Sequence, residues 1–186
     1  MKQSEVNELC REAAECLSQH HWVLPPKPEW AACDFGLGDY TKVGLVEVLL
    51  ANEPEYCEKI MYARAGMVTP AHTHYEKKED IICRSGLLQV TVWANNPAED
   101  PTSGTVELKV NRQMQTFKSG VPFELPAGSR MTLTPGIWHE FVPLGKPCLI
   151  GEVSTYCNEE IDNVFADKKV DIFQPPEADV PPALPV

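Results

Sequence analysis

His72 and His74 stand two residues apart, Glu79 follows after a short polar stretch, and His139 closes the later run Pro135-Gly136-Ile137-Trp138-His139. On a β-strand alternate side chains leave the same face, so the two close imidazoles point to one side. The stretch Tyr75-Glu76-Lys77-Lys78 can turn the chain and return the Glu79 carboxylate beside them. His139, on an apolar-aromatic stretch, can supply a fourth ligand. Three imidazoles and one carboxylate suit a divalent metal with open positions for water or substrate. Manganese, iron, cobalt, nickel and zinc all fit such donors, and spacing does not rank them. Histidines satisfied on a surface or in a core are the plain alternative.

Two charged groups stand near this set. If residues 77–79 are extended, Lys77 shares a face with Glu79, which places an ammonium beside the metal. A solvated lysine in a charged loop is the alternative. Glu152 directly follows the apolar run from Pro147 to Gly151. Such a carboxylate lies on an outer face or turns inward to a polar cavity, because glutamate is rarely buried without a partner.

These groups need a scaffold. Residues 4 to about 20 read as a helix, with Val6, Leu9, Cys10, Ala13, Ala14 and Leu17 at helical spacing and Ser4 as the expected cap. Pro25, Pro26 and Pro28 end it, and His20 and His21 fall at its C-terminus, where the helix dipole favours them. From Thr41 onward the pattern changes to short β-like runs at 43–50, 57–64, 79–84, 87–94, 105–110, 113–117, 122–125, 130–134, 138–143 and 147–154. Turns at Arg84-Ser85-Gly86 and Pro126-Ala127-Gly128 separate some of them. Many short strands imply an all-β antiparallel sandwich or barrel such as a jelly roll, with the helix packed outside. We expect a single domain over 1–186: an N-terminal helical part (1–24), a barrel (41–165) and a proline-rich C-terminal tail (174–186). The tail is either flexible or an extended arm on a neighbouring surface.

The chain has 186 residues, 43% hydrophobic and 23% charged, with a formal net charge of −11. That balance disfavours nucleic acid and anionic membranes as partners, since both are polyanions. It fits a neutral or cationic small molecule. Seven cysteines, an odd number without a CxxC pair, read as free thiols in a reducing compartment. The polar start Met1-Lys2-Gln3-Ser4-Glu5 has no apolar signal core, and a cytoplasmic protein is expected.

Gly66, His72, His74, Glu79 and Gly86 fit at every position the first motif of the cupin superfamily, and Pro135, Gly136 and His139 resemble its second. Within the cupins, the chain from about Gly66 to Phe165 resembles the D-lyxose ketol-isomerases. The resemblance is carried by Thr69-Pro70-Ala71-His72-Thr73-His74, Lys77-Lys78-Glu79-Asp80-Ile81-Ile82, Thr134-Pro135-Gly136-Ile137-Trp138-His139, Gly151-Glu152-Val153-Ser154 and Asp162-Asn163. It implies a cupin-type antiparallel jelly-roll barrel and a metal, commonly manganese, on His72, His74, Glu79 and His139. It also implies a homodimer that interconverts D-lyxose with D-xylulose and often D-mannose with D-fructose. Glu152 would then be the base that moves a proton between adjacent carbons, and Lys77 the donor to the developing oxyanion. Asp162 would orient substrate hydroxyls or serve a turn. Trp138 would wall the sugar pocket or sit in the core. Arg84 would bridge carboxylates near the site or sit in water. One departure is Tyr156-Cys157-Asn158-Glu159-Glu160, where the family tends to an Asn- and Asp-rich stretch. A net charge of −11 without a glycine-rich phosphate loop points to a free sugar over a phosphosugar. The competing readings are an iron cupin oxygenase acting on a small metabolite and a non-enzymatic sugar-binding cupin. Neither gives a reason for both Lys77 and Glu152.

Overall fold

Val6, Leu9, Cys10, Ala13 and Leu17 form the buried side of helix α1 (Gln3–Gln19), in a computed structural model that describes residues 1–155 and 157–185. Tyr156 of the departing stretch and Val186 of the tail lie outside the described residues. The N-cap is Lys2 and not Ser4: the Glu5 carboxylate accepts the Lys2 backbone N–H at 2.7 Å. Ser4 sits inside the first turn, where its N–H and hydroxyl donate to Asp179 at 2.9 and 2.6 Å. A carboxylate at the positive end of a helix is favoured whichever part of the chain supplies it. At the other end the His20 ring meets the Cys16 carbonyl at 2.9 Å, in keeping with its placement at the helix terminus.

The strands that follow are β1 (Glu29–Cys33), β2 (Leu45–Asn52), β3 (Cys57–Ala63), β4 (Thr69–His74), β5 (Glu79–Ser85), β6 (Leu87–Trp93), β7 (Thr105–Val110) and β8 (Gln113–Lys118). Next come β9 (Phe123–Pro126), β10 (Arg130–Leu133), β11 (Trp138–Pro143) and β12 (Cys148–Ser154), then a short helix α2 (Glu159–Asp162) and β13 (Asn163–Phe165). One sheet runs β1-β2-β3-β12-β5-β10-β7-β8 and the other β13-β4-β11-β6-β9. Every pairing between these strands is antiparallel. From β3 onward the chain passes back and forth between the sheets, the path of a jelly roll. The expected all-β architecture with an external helix is therefore what the chain adopts. Its two layers share a core that includes Val48, Ile60, Leu149 and Ile150 of the larger sheet and Leu88, Val90, Val92 and Phe141 of the smaller. Each such side chain contributes about 1.5–3 kcal/mol on burial.

Three strands fall outside the runs read from hydrophobicity. β1 and β13 are short, with five and three residues. β4, argued only from the histidine spacing, carries Pro70 and four polar side chains and so shows no apolar run.

Helix α1 packs on β1, β2 and β3. Arg64, just past β3, donates to Glu12 at 2.7 Å and to Glu8 at 2.6 Å. The proline-rich tail is an extended arm over its own chain. Glu177 exchanges backbone bonds with Met1 and Gln3, Asn7 of α1 pairs with Pro181 and Ala183, and the Trp30 ring N–H donates to the Pro185 carbonyl at 2.9 Å.

Candidate active site

His72 and His139 are direct cross-strand partners on β4 and β11, so their side chains leave the same face of the smaller sheet. Their ring centroids lie 4.1 Å apart, and His74, two residues along β4, brings its ring within 5.2 Å of His72. The strand alternation argued from sequence thus converges the three imidazoles. Each offers a nitrogen, and these nitrogens lie within 4.8 Å of one another. Glu79 opens β5 in the facing sheet and points back across the interior. Its Oε1 lies 3.1 Å from His139 Nε2 and 3.5 Å from His74 Nε2.

The hydrogen bonds of this cluster leave several buried atoms without partners. His72 Nδ1 faces the Pro70 carbonyl at 2.8 Å, and His139 Nδ1 faces the Ile137 carbonyl at 3.2 Å. Each of these rings donates from Nδ1 and turns Nε2 toward the centre of the cluster. His139 Nε2 faces Glu79 Oε1, and neither atom has a hydrogen-bond partner, nor has buried His74 Nδ1. Burial, then the neighbouring imidazoles, holds His72 well below the usual histidine range. Burial lowers His74 to about 4, with Lys77 and His139 adding to it and Glu79 opposing. Three imidazoles and a carboxylate gathered around one point are the donor set a divalent cation requires. The residues present therefore fit a metal.

Lys77 lies on the link between β4 and β5 with its side chain only 5% exposed. Its ammonium donates to Glu79 Oε2 at 2.9 Å and to Glu152 Oε1 at 2.9 Å. Burial opposes that charge, but Glu79 and Glu152 outweigh it and hold Lys77 above the ordinary lysine range. Glu152 is buried on β12 with its partner supplied, so the inward placement is the one adopted.

These groups line a cavity of about 140 Å³. The same cavity holds a cluster that sequence reading passed over. Lys59 of β3, the cross-strand partner of Glu152, is ion-paired to Glu47 of β2 at 3.3 Å and to Glu159 of α2. Burial opposes its charge, yet the three glutamates Glu47, Glu152 and Glu159 hold it raised. Burial raises Glu47 despite Lys59. Phe35, Met61, Phe165 and Ile172 add apolar walls. Among the lining residues two ammonium groups face four carboxylates, a deficit of two positive charges that a divalent cation would balance.

Three residues of the sequence reading stand outside this lining. Trp138 precedes His139 on β11, so alternation turns it to the opposite face, where it is buried opposite Trp93. Arg84 has the opposite parity to Glu79 and Ile81 on β5. It is exposed, with its guanidinium 5.6 Å from the Trp22 ring. Asp162 takes the turn role: its carboxylate accepts the backbone N–H groups of Tyr75, Glu76 and Lys77.

An antiparallel two-layer β fold with a cluster of three histidines and a glutamate, beside a buried lysine–glutamate pair, defines a class of small β proteins whose donor set could hold a metal ion. The D-lyxose isomerase family model matches residues 27–185, and the chain belongs to that family. It is 30% identical to a D-lyxose/D-mannose isomerase of Serratia proteamaculans, over 98% of this chain and 94% of that protein. With a D-lyxose/D-mannose isomerase of Escherichia coli O157:H7 the identity is 29%, over 89% and 88%. In fold it is similar to an L-ribose isomerase of Cellulomonas parahominis, with a TM-score of 0.69, 17% identity and coverage of 96% and 98%.

Proposed function

We propose that this chain is a metal-dependent aldose–ketose isomerase of free sugars that interconverts D-lyxose with D-xylulose and D-mannose with D-fructose. The observation that carries this reading is the buried Lys77–Glu152 pair set against four metal-competent donors in one cavity. His72, His74, Glu79 and His139 would hold a divalent metal, manganese in our reading, which when bound polarises the sugar carbonyl. Glu152 takes the proton from the carbon beside the carbonyl and returns it to the neighbouring carbon. Lys77 donates to the sugar oxygen on which negative charge develops and passes on the oxygen-borne proton. In the same cavity Lys59 donates to, and Glu47 and Glu159 accept from, the remaining hydroxyls. Both lysines of the lining are engaged by carboxylates, which leaves no basic clamp for a phosphate there. An oxygenase or a binding module would use the metal donors but gives no task to Lys77 and Glu152.

The test is turnover in heavy water. Manganese-loaded protein incubated with D-lyxose, D-mannose or D-xylulose should form the partner sugar and place deuterium on C1 of the ketose and on C2 of the aldose. Neither interconversion nor exchange for any pentose or hexose offered would reject the assignment.

His74→Ala should weaken metal binding at least about 100-fold, since even outer partners of a ligand cost 10- to 100-fold. Elemental analysis after dialysis would read the lost metal, and turnover should vanish with it. The same analysis on wild-type protein should return manganese at one ion per chain.

We also infer a homodimer in the cytoplasm. The family resemblance favours the dimer. The seven cysteines, all free among the described residues, accord with a reducing compartment. Sedimentation giving the mass of one chain would remove the dimer.

A further inference from the structure

We propose that Asp162 is the positioning residue that sets Lys77 between Glu79 and Glu152 in the cavity. Its carboxylate is 6% exposed and lines no part of that cavity. Oδ1 accepts the N–H of Tyr75 at 2.8 Å and of Glu76 at 2.9 Å, and Oδ2 accepts the N–H of Lys77 at 2.9 Å. Three consecutive backbone N–H groups converge on one anion, a nest closed by a side chain 85 residues downstream of Lys77. Bonds to an ionised acceptor are about twice as strong as neutral ones.

The link that Asp162 organises has a particular place. Tyr75–Lys78 is the whole connection between His74, which ends β4, and Glu79, which opens β5. Its last residue is tied separately, since Lys78 and Thr155 exchange hydrogen bonds at 3.1 and 3.0 Å. Both flanking residues are fixed by strand pairing, His74 to Asn163 and Glu79 to Ser154 and Leu133. What strand pairing does not fix is the backbone that carries Lys77, and there Asp162 supplies the N–H partners. Asp162 is itself anchored, because the next residue begins β13 alongside His74. The Lys77 ammonium must meet Glu79 and Glu152 at 2.9 Å each, and a displacement of about 1 Å at a reacting group costs on the order of 100-fold in rate.

The inference deepens the isomerase reading and rests on it for its turnover arm alone. Asp162→Asn keeps the size of the side chain but turns an amide NH2 toward backbone N–H groups, and Asp162→Ala empties the nest. In the full-length, manganese-loaded protein, amide exchange at Tyr75–Lys77 should accelerate about 10- to 100-fold in either variant. Acetylation of Lys77 by an N-hydroxysuccinimide ester, read by peptide mass spectrometry, should accelerate at least about 10-fold, since the amine is no longer held in its buried pair. Turnover of D-lyxose should fall about 10- to 100-fold in kcat, with KM within about threefold and metal content unchanged. Added formate should restore part of the kcat of Asp162→Ala by refilling the nest. Wild-type Lys77 protection together with kcat within about twofold of wild type in Asp162→Asn would overturn the proposal. So would loss of metal with Lys77 still protected, because the carboxylate would then serve the ligands and not the lysine. If Asp162→Ala does not fold, Asp162→Asn decides the matter. If the wild-type protein turns over no sugar, the isomerase reading fails, and the exchange and labelling arms still decide the placement of Lys77.

Discussion

Glu152→Gln should abolish most turnover while leaving the protein folded and metal-loaded. The amide keeps an oxygen to accept the Lys77 hydrogen bond, now made at 2.9 Å, but it cannot take a proton. General-base groups contribute about 10²- to 10⁴-fold, so kcat should drop by about 10³-fold. Elemental analysis should show unchanged metal, and thermal unfolding should move little. Near-full turnover in this variant would show that another group is the base.

Lys77→Met should destabilise the fold strongly. The side chains are of similar length, but methionine leaves Glu79 and Glu152 facing each other without the ammonium between them. Breaking a buried ion pair by removing one partner costs about 3–5 kcal/mol. For a chain of this size that corresponds to roughly 10 °C in Tm, which calorimetry of the metal-free protein would read. A double variant, Lys77→Met with Glu152→Gln, should recover part of the loss because one stranded charge is gone. An unchanged Tm in the single variant would mean that the two carboxylates rearrange into water and that the cluster is looser than its distances indicate.

What could be read from the sequence follows from how local each constraint is. His72 and His74 obey a two-residue period on one strand, so their shared direction needed no tertiary information. Lys77 was placed by extending that period toward Glu79, and the 2.9 Å contact bears out the parity. Trp138 and Arg84 show the same rule left unapplied: each neighbours an inward position, and alternation alone turns it outward. Lys59, Glu47 and Glu159 had no such local signal. They come from β3, β2 and α2, and meet only because β3 pairs with both β2 and β12. In the sequence each is one more charged residue in a chain with 27 acidic side chains. The Asp162 nest was equally hidden, since it joins the Tyr75–Lys77 backbone to a carboxylate whose distance along the chain no periodicity spans.

The arm that lies over α1 joins parts of the chain that are far apart in sequence. Asp179 accepts the Ser4 N–H from 175 positions away, and Asn7 meets Pro181 and Ala183 across a similar span. Closing so long a loop is entropically unfavourable until the sheets have already brought its ends together. Closure of the arm over α1 is therefore expected as a late step of folding, after the sheets and the helix they carry have formed.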